Sequence, residues 1–436
     1  MTHDASRITH HASRITHHAS RMKILVLGSG VIGVTTAYYL AKDGHEVTVI
    51  DRQAEAASET SFANAGLIAP GHAYAWASPK APGILWKSLF KPDQALRLKL
   101  RADPHMWVWC WLFLRQCTEE RARVNTIRKL KLCVYSVECL DAMVKDTGVE
   151  YDALRKGNIY LYRSQESFDK GVAHMGILQD HGLELKVLDR DAVAATEPAL
   201  AKVKSRIAGA VHAPADQSGD ARMFSRRLAR HCAEKLGVNF IFDTRVKRIE
   251  TTGDKVERVV TDGGARTADR YVLALGCDSP IIGRGIGLKL PIYPVKGYSV
   301  TLPARPGDAA LGIGGVDEDN LMAWCPLGDR LRLTSTAEFS GYDRDHCPED
   351  FRAMFRAAKE LFPEAADYDR PDYWAGLRPM TPEGTPILGY ARYRNLLLNS
   401  GHGHIGWTMS CGSAKVTADI AAGRAPDIDL EGMNYH

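Results

Sequence analysis

The first clear pattern in the chain is a short apolar run. Lys23–Leu27 (KILVL) has the length and composition of a strand buried on both faces. Residues 34–42 (VTTAYYLAK) follow helical spacing, and Gly44 stops them. Glu46–Ile50 (EVTVI) predicts a second buried strand. After Arg52 this strand–helix–strand rhythm ends. Runs of the same kind return far downstream, as strands at 238–242, 244–249, 271–275 and 395–398, and as a small-residue helix over about 412–422. Between them, 292–302 predicts a strand and 220–236 a helix capped by Asp220. Trp107, Trp111 and Leu114 recur at i, i+4, i+7, which predicts one core-facing helix stripe, with Arg115, Arg121 and Arg123 on the solvated side. The longest apolar run, 106–114, falls well short of the roughly 20 residues that span a bilayer.

Composition narrows the class. Of 436 residues, 45% are apolar and 25% charged, as in soluble globular proteins, and the length predicts two or three modules. The net charge is only +4, half of it in residues 1–21, so no nucleic-acid partner is expected. Those 21 residues repeat HASRITH without an apolar segment. They read as a disordered leader or cloning tag, and their histidines do not amount to an expected metal site. Nine cysteines are scattered without a CxxC pair, the usage of reduced thiols in a cytosolic protein.

The chemistry begins at Gly28-Ser29-Gly30-Val31-Ile32-Gly33, which joins the first strand to the first helix. Gly28 permits the tight turn, Gly30 lets a pyrophosphate approach the backbone, and Gly33 lets helix and strand pack closely. The helix N-terminus offers free N–H groups to phosphate. Asp51 closes the second strand 18 residues beyond Gly33, placed to accept both ribose hydroxyls of an adenosine. These features together predict a dinucleotide site. An NAD enzyme would continue with further strand–helix units. Here the chain runs instead through a hydroxyl-rich segment, 58–68, containing Ser61, Asn64, Ala65, Gly66 and Leu67, which can pass close to a flat ring. The dispersed nucleotide-fold pieces then predict a flavin fold and FAD.

At larger scale, GSGVIG with Asp51-Arg52, SETSFANAGLI, DQSGDARMF (216–224), PVKGYSV (294–300), GLRPMTPEGTPILG (376–389) and NSGHGHIGWTMSCGSA (399–414) resemble the D-amino acid dehydrogenase family, within the wider D-amino acid oxidase and glycine oxidase superfamily. The resemblance covers nearly all of 22–425. It implies an α/β (α+β) chain. A Rossmann-type FAD-binding domain (22–75, 205–290 and 375–425) is interleaved with an antiparallel-sheet substrate domain (76–204 and 291–374). It implies oxidative deamination of D-amino acids to 2-oxo acids and ammonia, by hydride transfer from the α-carbon to flavin N5. Electrons pass to a quinone or another non-oxygen acceptor, in the cytoplasm or at the inner face of a bacterial membrane. A glycine or sarcosine oxidase, or a D-hydroxyproline dehydrogenase, is the alternative within the superfamily. One departure stands out: His404-Ile405 occupies a place where the family often has a small polar residue and Leu.

The resemblance also assigns roles. Arg378 matches the position that holds substrate carboxylate, a task suited to a planar guanidinium with parallel N–H donors. Tyr298 is expected to aim its hydroxyl at the same carboxylate. Gly403, His404, Ile405, Gly406 and Thr408 are expected at the flavin, ahead of a helix whose positive end favours negative charge on the ring. Arg52, Val246 and Gly276 complete the expected cofactor set. His72, Tyr74 and Trp76 are candidates for the substrate side. Finally, 86–113 mixes Trp86, Trp107, Trp109 and Trp111 with a net +4 over 87–101. That mixture suits either core packing or peripheral contact with an anionic membrane.

Overall fold

The computed structural model describes residues 21–88, 96–99, 101–307 and 310–435, with backbone alone at 86–88. Residues 1–20 of the leader and part of the aromatic-basic insertion (the side chains of Trp86 and Lys87, and all of Leu89, Phe90, Lys91 and Leu100) lie outside the described residues.

Strand β1 (Lys23–Leu27), helix α1 (Val31–Lys42) and strand β2 (Glu46–Ile50) form the opening unit, as the apolar runs predict. Helices α2 (Ala81–Ser88), α3 (Pro104–Gln116), α4 (Glu119–Thr147) and α5 (Ala221–Leu236) follow. Then come β3 (Asn239–Ile241), β4 (Arg270–Leu273), β5 (Tyr293–Pro303), β6 (Arg330–Phe339), β7 (Asp372–Met380), β8 (Ile387–Tyr390), β9 (Leu396–Ser400) and α6 (Gly406–Ala421).

Two sheets organise the chain. The first has six strands in the order β8-β9-β4-β1-β2-β3. Its β9-β4-β1-β2-β3 core is parallel, and hairpin strand β8 pairs antiparallel at the edge. Both faces are covered, so its strands read as continuous apolar runs. Ile24 and Val26 pack with α1 and α5 on one side, while Leu25, Leu27, Tyr271 and Leu273 face a second cluster with Ile282 and Leu288. Asp220 caps α5 as expected, its Oδ1 accepting from Arg222 and Met223 N–H. The 244–249 run behaves differently. Its strand spans Val246–Thr252 and belongs to a separate three-stranded antiparallel sheet.

The second sheet has nine strands and is mostly antiparallel. Strand β5 is paired with β7 on one side and β6 on the other. Strand β7 and strand Gly209–Ala213 both belong here, although 205–290 and 375–425 were expected with the nucleotide sheet. Sequence neighbours thus pass between sheets at points no local pattern marks.

The α3 stripe is opposite to the one expected. Trp107, Val108, Trp111 and Leu114 are exposed, with Trp111 55% accessible, whereas Met106, Trp109 and Phe113 are buried. Trp109 Nε1 donates to the Met380 carbonyl (2.9 Å), and its ring packs on Phe113 and Phe339. The reason is that this helix is apolar on every face. Periodicity alone then cannot choose the stripe that meets the core. Two basic residues of the same insertion are committed internally: Lys99 pairs with Glu338 (2.9 Å) and Arg97 with Asp350 (3.1 Å).

Candidate active site

The turn after β1 sets one end of a cavity of about 920 Å³. Gly28 has φ +105°, and a Cβ there would lie 2.6 Å from the Ala274 carbonyl oxygen. At Gly33 a Cβ would fall 1.9 Å from the Gly28 oxygen, so only glycine lets α1 seat on the turn. Gly30, Val31 and Ile32 open this helix start onto the cavity. No side chain caps it at Gly30, although Val31 N–H donates to Ser61 Oγ (3.1 Å). Asp51 also lines the cavity; its Oδ2 accepts from Ser29 N–H (2.7 Å) and Ser29 Oγ (2.8 Å). Arg52 is neutralised twice, by Glu59 (2.8 Å) and Asp278 (2.6 Å). Arg344 reaches the same Glu59 from the loop after β6. Val246 and Gly276 complete this end.

The cavity continues past Ser61, Asn64, Ala65 and Leu67 to Gly403, His404, Ile405 and Gly406 at the start of α6. Four expected cofactor residues support the wall without lining it. Ser29 and Gly33 act as just described. Gly66 is wedged against Cys325 Sγ, where a Cβ would lie 2.7 Å away. Thr408 Oγ1 accepts from Ala69 N–H (3.0 Å), tying α6 to the segment after the hydroxyl-rich run.

The far end is organised by Arg378 on β7. Its guanidinium lies flat over Gly297 of β5, where a Cβ would come within 2.4 Å of Cζ. Nη1 donates to the Thr336 carbonyl (2.8 Å) and, more weakly, to that of Lys296 (3.5 Å). Among the described residues no carboxylate pairs with it. Burial without a counter-ion lowers its pKa to about 10. Its other N–H groups donate to no protein acceptor among the described residues.

The Tyr298 hydroxyl is not directed at the Arg378 guanidinium as expected. Side chains alternate along β5, so Gly297 and Ser299 share one face of the strand and Lys296 and Tyr298 the other. The Tyr298 hydroxyl donates to Glu338 Oε2 (2.9 Å), and its ring packs edge-on against Phe351. Lys296 is fully buried on that same far side, paired with Glu338 and Asp343, both at 3.2 Å. Lys296 does not line the cavity; Tyr298 does, but its hydroxyl is engaged by Glu338 and not by Arg378.

His72, Tyr74 and Trp76 do line the cavity. His72 pairs with Glu318 (3.0 Å), which outweighs burial and raises its pKa. His404 stacks on Trp76 at 4.6 Å and is held neutral by burial and by the cations Lys129, His72 and Arg378. His402 is likewise neutral, its pKa lowered to about 3 by burial, with Nε2 2.9 Å from Ser413 Oγ. Thr336, Glu318, His174 and His402 were missed in the sequence. The GHGH run flagged His402, but nothing local flags the other three. Trp407 lies in the core beside Phe224 and Tyr151, as packing would have it.

A glycine cradle that excludes any Cβ, an uncapped helix start and one continuous cavity between Asp51 and Arg378 suit an extended dinucleotide. The family model described as DAO, FAD dependent oxidoreductase, matches residues 23–420. This chain belongs to that family. FAD is the cofactor of the family and supplies a two-electron acceptor when bound; the two glycine segments would hold it. D-amino acid dehydrogenase 2 of Mesorhizobium japonicum is 50% identical over 414 residues, covering 95% of this chain and all of the relative. D-amino acid dehydrogenase of Bradyrhizobium diazoefficiens is 44% identical, covering 94% and 98%. The crystal structure of glycine oxidase from Geobacillus kaustophilus superposes with a TM-score of 0.75 at 23% identity, covering 95% of this chain and 98% of that one, a likeness of fold.

Proposed function

We propose that this protein oxidises D-amino acids to imino acids, which water converts to 2-oxo acids and ammonia, and that it hands the electrons to a quinone or another non-oxygen acceptor. The observation carrying the reading is Arg378: a cavity-facing guanidinium with no anion to neutralise it among the described residues. Such a cation gains most from a small carboxylate gripped through two parallel hydrogen bonds. The names of the two relatives supply the substrate class.

Gripping the carboxylate fixes the α-carbon in the cavity, and this positioning is the main task left to the chain. A neutral amine needs no dedicated base to lose its α-hydrogen as hydride. The start of α6 at Gly403–Gly406 aims backbone N–H groups and the positive helix end into the same cavity, favouring negative charge that develops there. Anaerobic titration of the yellow protein with paired D- and L-amino acids tests this. Bleaching by the D-form alone is the expected result. Bleaching by neither form, or by the L-form alone, refutes the reading.

The outward face of α3 favours peripheral contact with an anionic bilayer. Trp107, Val108, Trp111 and Leu114 are exposed together, and Arg115 lies over the Trp111 ring at 4.7 Å. Aromatic rings with a nearby cation suit the headgroup region. Among the described residues no helix is long and apolar enough to cross a membrane. Salt-sensitive sedimentation with anionic vesicles, lost in Trp107→Ser/Trp111→Ser, is the expected outcome. Equal sedimentation of the double variant speaks against this face.

A further inference from the structure

The grip on Arg378 depends on an unusual piece of backbone. Along β5 and β6, Lys296 pairs with Glu338, but Tyr298 pairs with Ser335. Two residues, Thr336 and Ala337, therefore oppose the single Gly297, which defines a β-bulge in β6. The first bulged residue, Thr336, has φ +64°. In bulges of this left-handed kind the position normally belongs to glycine. A β-branched residue there is a steric outlier and persists only where its surroundings hold it.

The consequence falls on the site. The left-handed turn at Thr336 aims its carbonyl at Arg378 Nη1 (2.8 Å), a shorter hydrogen bond than the one to Lys296 (3.5 Å). Gly297, across the bulge, supplies the bare floor on which the guanidinium rests. The bulge is thus a latch for one end of the fork, leaving the other donors to the cavity. Glycine would give the same turn at lower steric cost but with a freer backbone. A stiff residue in that conformation holds the carbonyl still.

We propose that Thr336 is a positioning residue: its strained bulge fixes the Arg378 guanidinium in the orientation that receives the substrate carboxylate, acting through the backbone carbonyl. This rests on the reading of Arg378 as the carboxylate anchor.

The test compares Thr336→Gly with Thr336→Val in the flavin-loaded protein. Glycine suits the bulge, so Thr336→Gly is expected to fold with an unchanged or higher Tm. Its KM for D-alanine should rise about tenfold, with kcat changed less than twofold. Calorimetric binding of propionate, a carboxylate that cannot be oxidised, should weaken by the same factor. Thr336→Val keeps the branched, stiff backbone and lacks the hydroxyl, so it should stay within twofold of the parent in KM and in propionate affinity. Thr336→Ala serves as the second hydroxyl-free variant if Val does not fold, with KM expected between those of the parent and Thr336→Gly.

An unchanged KM and propionate affinity in Thr336→Gly overturns the proposal. So does Thr336→Val, or Thr336→Ala in its place, rising as far as Thr336→Gly, because the hydroxyl would then be touching substrate. Propionate binding is read without turnover. A parent that binds propionate through Arg378 yet oxidises no D-amino acid refutes the proposed function and leaves the positioning role standing.

Discussion

Two of the arginines that line the cavity, Arg52 and Arg378, are treated in opposite ways. Arg52, at the Asp51 end, is wedged between Glu59 and Asp278, and those carboxylates raise its pKa despite burial. Among the described residues Arg378, at the α6 end, hydrogen-bonds only backbone carbonyls, and burial lowers its pKa to about 10. A protein gains little from an isolated buried cation, because desolvation is not repaid by any partner. Arg52 therefore reads as a brace within the wall, and Arg378 as one half of an ion pair whose other half arrives with the ligand.

The most drastic way to break the comparison is to destroy the cradle on the Arg52 side. Gly28→Ala puts a Cβ 2.6 Å from a backbone oxygen at a φ of +105°. Neither neighbour is a flexible side chain, so the turn has to move. Purified Gly28→Ala is expected to be colourless or insoluble, by absorbance at the flavin bands. A normally loaded yellow protein would show that the turn is not the cradle.

Arg378→Ala comes next. Loss of a charge-assisted, two-pronged grip costs about 3 kcal/mol, on the order of 100-fold in KM for a D-amino acid. Flavin content should stay near that of the parent, because this side chain bears on the far end of the cavity. Arg378→Lys should recover only part of the loss, lacking the planar fork. A colourless Arg378→Ala protein, or an unchanged KM, would erase the distinction between the two ends.

The acids divide in the same manner. Arg344 and Arg52 hold the Glu59 carboxyl below its usual range. Asp216, fully buried behind His72, accepts from the Tyr160 hydroxyl and from Gly71 N–H (2.8 Å), yet burial still lifts its pKa to about 7. The signs are opposite. Glu59 contributes stability above its unfolded pKa that is lost as acid titrates it. Asp216 binds its proton more tightly when folded, so between about pH 4 and 7 the native state holds more protons and stability falls as pH rises. Urea unfolding across that range should show Asp216→Asn with a flatter profile than the parent, gaining on the order of 4 kcal/mol relative to it by pH 7. A parallel pair of profiles would contradict the raised pKa.

The two ends were also unequally legible in the sequence. The β1–α1–β2 unit is a local construction, and strand, glycine turn, helix and closing Asp51 lie within 29 consecutive residues, 23–51. Its chemistry follows from spacing. The Arg378 end is assembled from β5, β6, β7 and the segment before α6, four pieces joined only by strand pairing. Resemblance picked out Arg378, but the face of a strand depends on register. A one-residue difference in register separates Gly297, under the guanidinium, from Tyr298, which points away from it. The bulge at Thr336 carries no sequence mark at all, because the residue that usually signals it is glycine. Likewise the all-apolar α3 left two stripes equally plausible, and only packing against Phe339 and Met380 chose between them.

The smallest expected effect is the one that sharpens the contrast most. Arg52→Ala removes a braced cation and leaves Glu59 still held by Arg344. Asp278 loses its partner at 2.6 Å, but its pKa already lies above the usual range through burial, so it can take up a proton rather than remain an uncompensated charge. The expected loss is about 1 kcal/mol, roughly fivefold in FAD affinity, read by fluorescence of released flavin. The KM for a D-amino acid, measured with FAD in excess, should not move. If instead KM rises as it does in Arg378→Ala, the two arginines share one task, and the missing counter-ion at Arg378 loses its meaning. If only flavin affinity moves, the same residue type serves as scaffold at one end of the cavity and as ligand receptor at the other, decided solely by whether the protein supplies the anion.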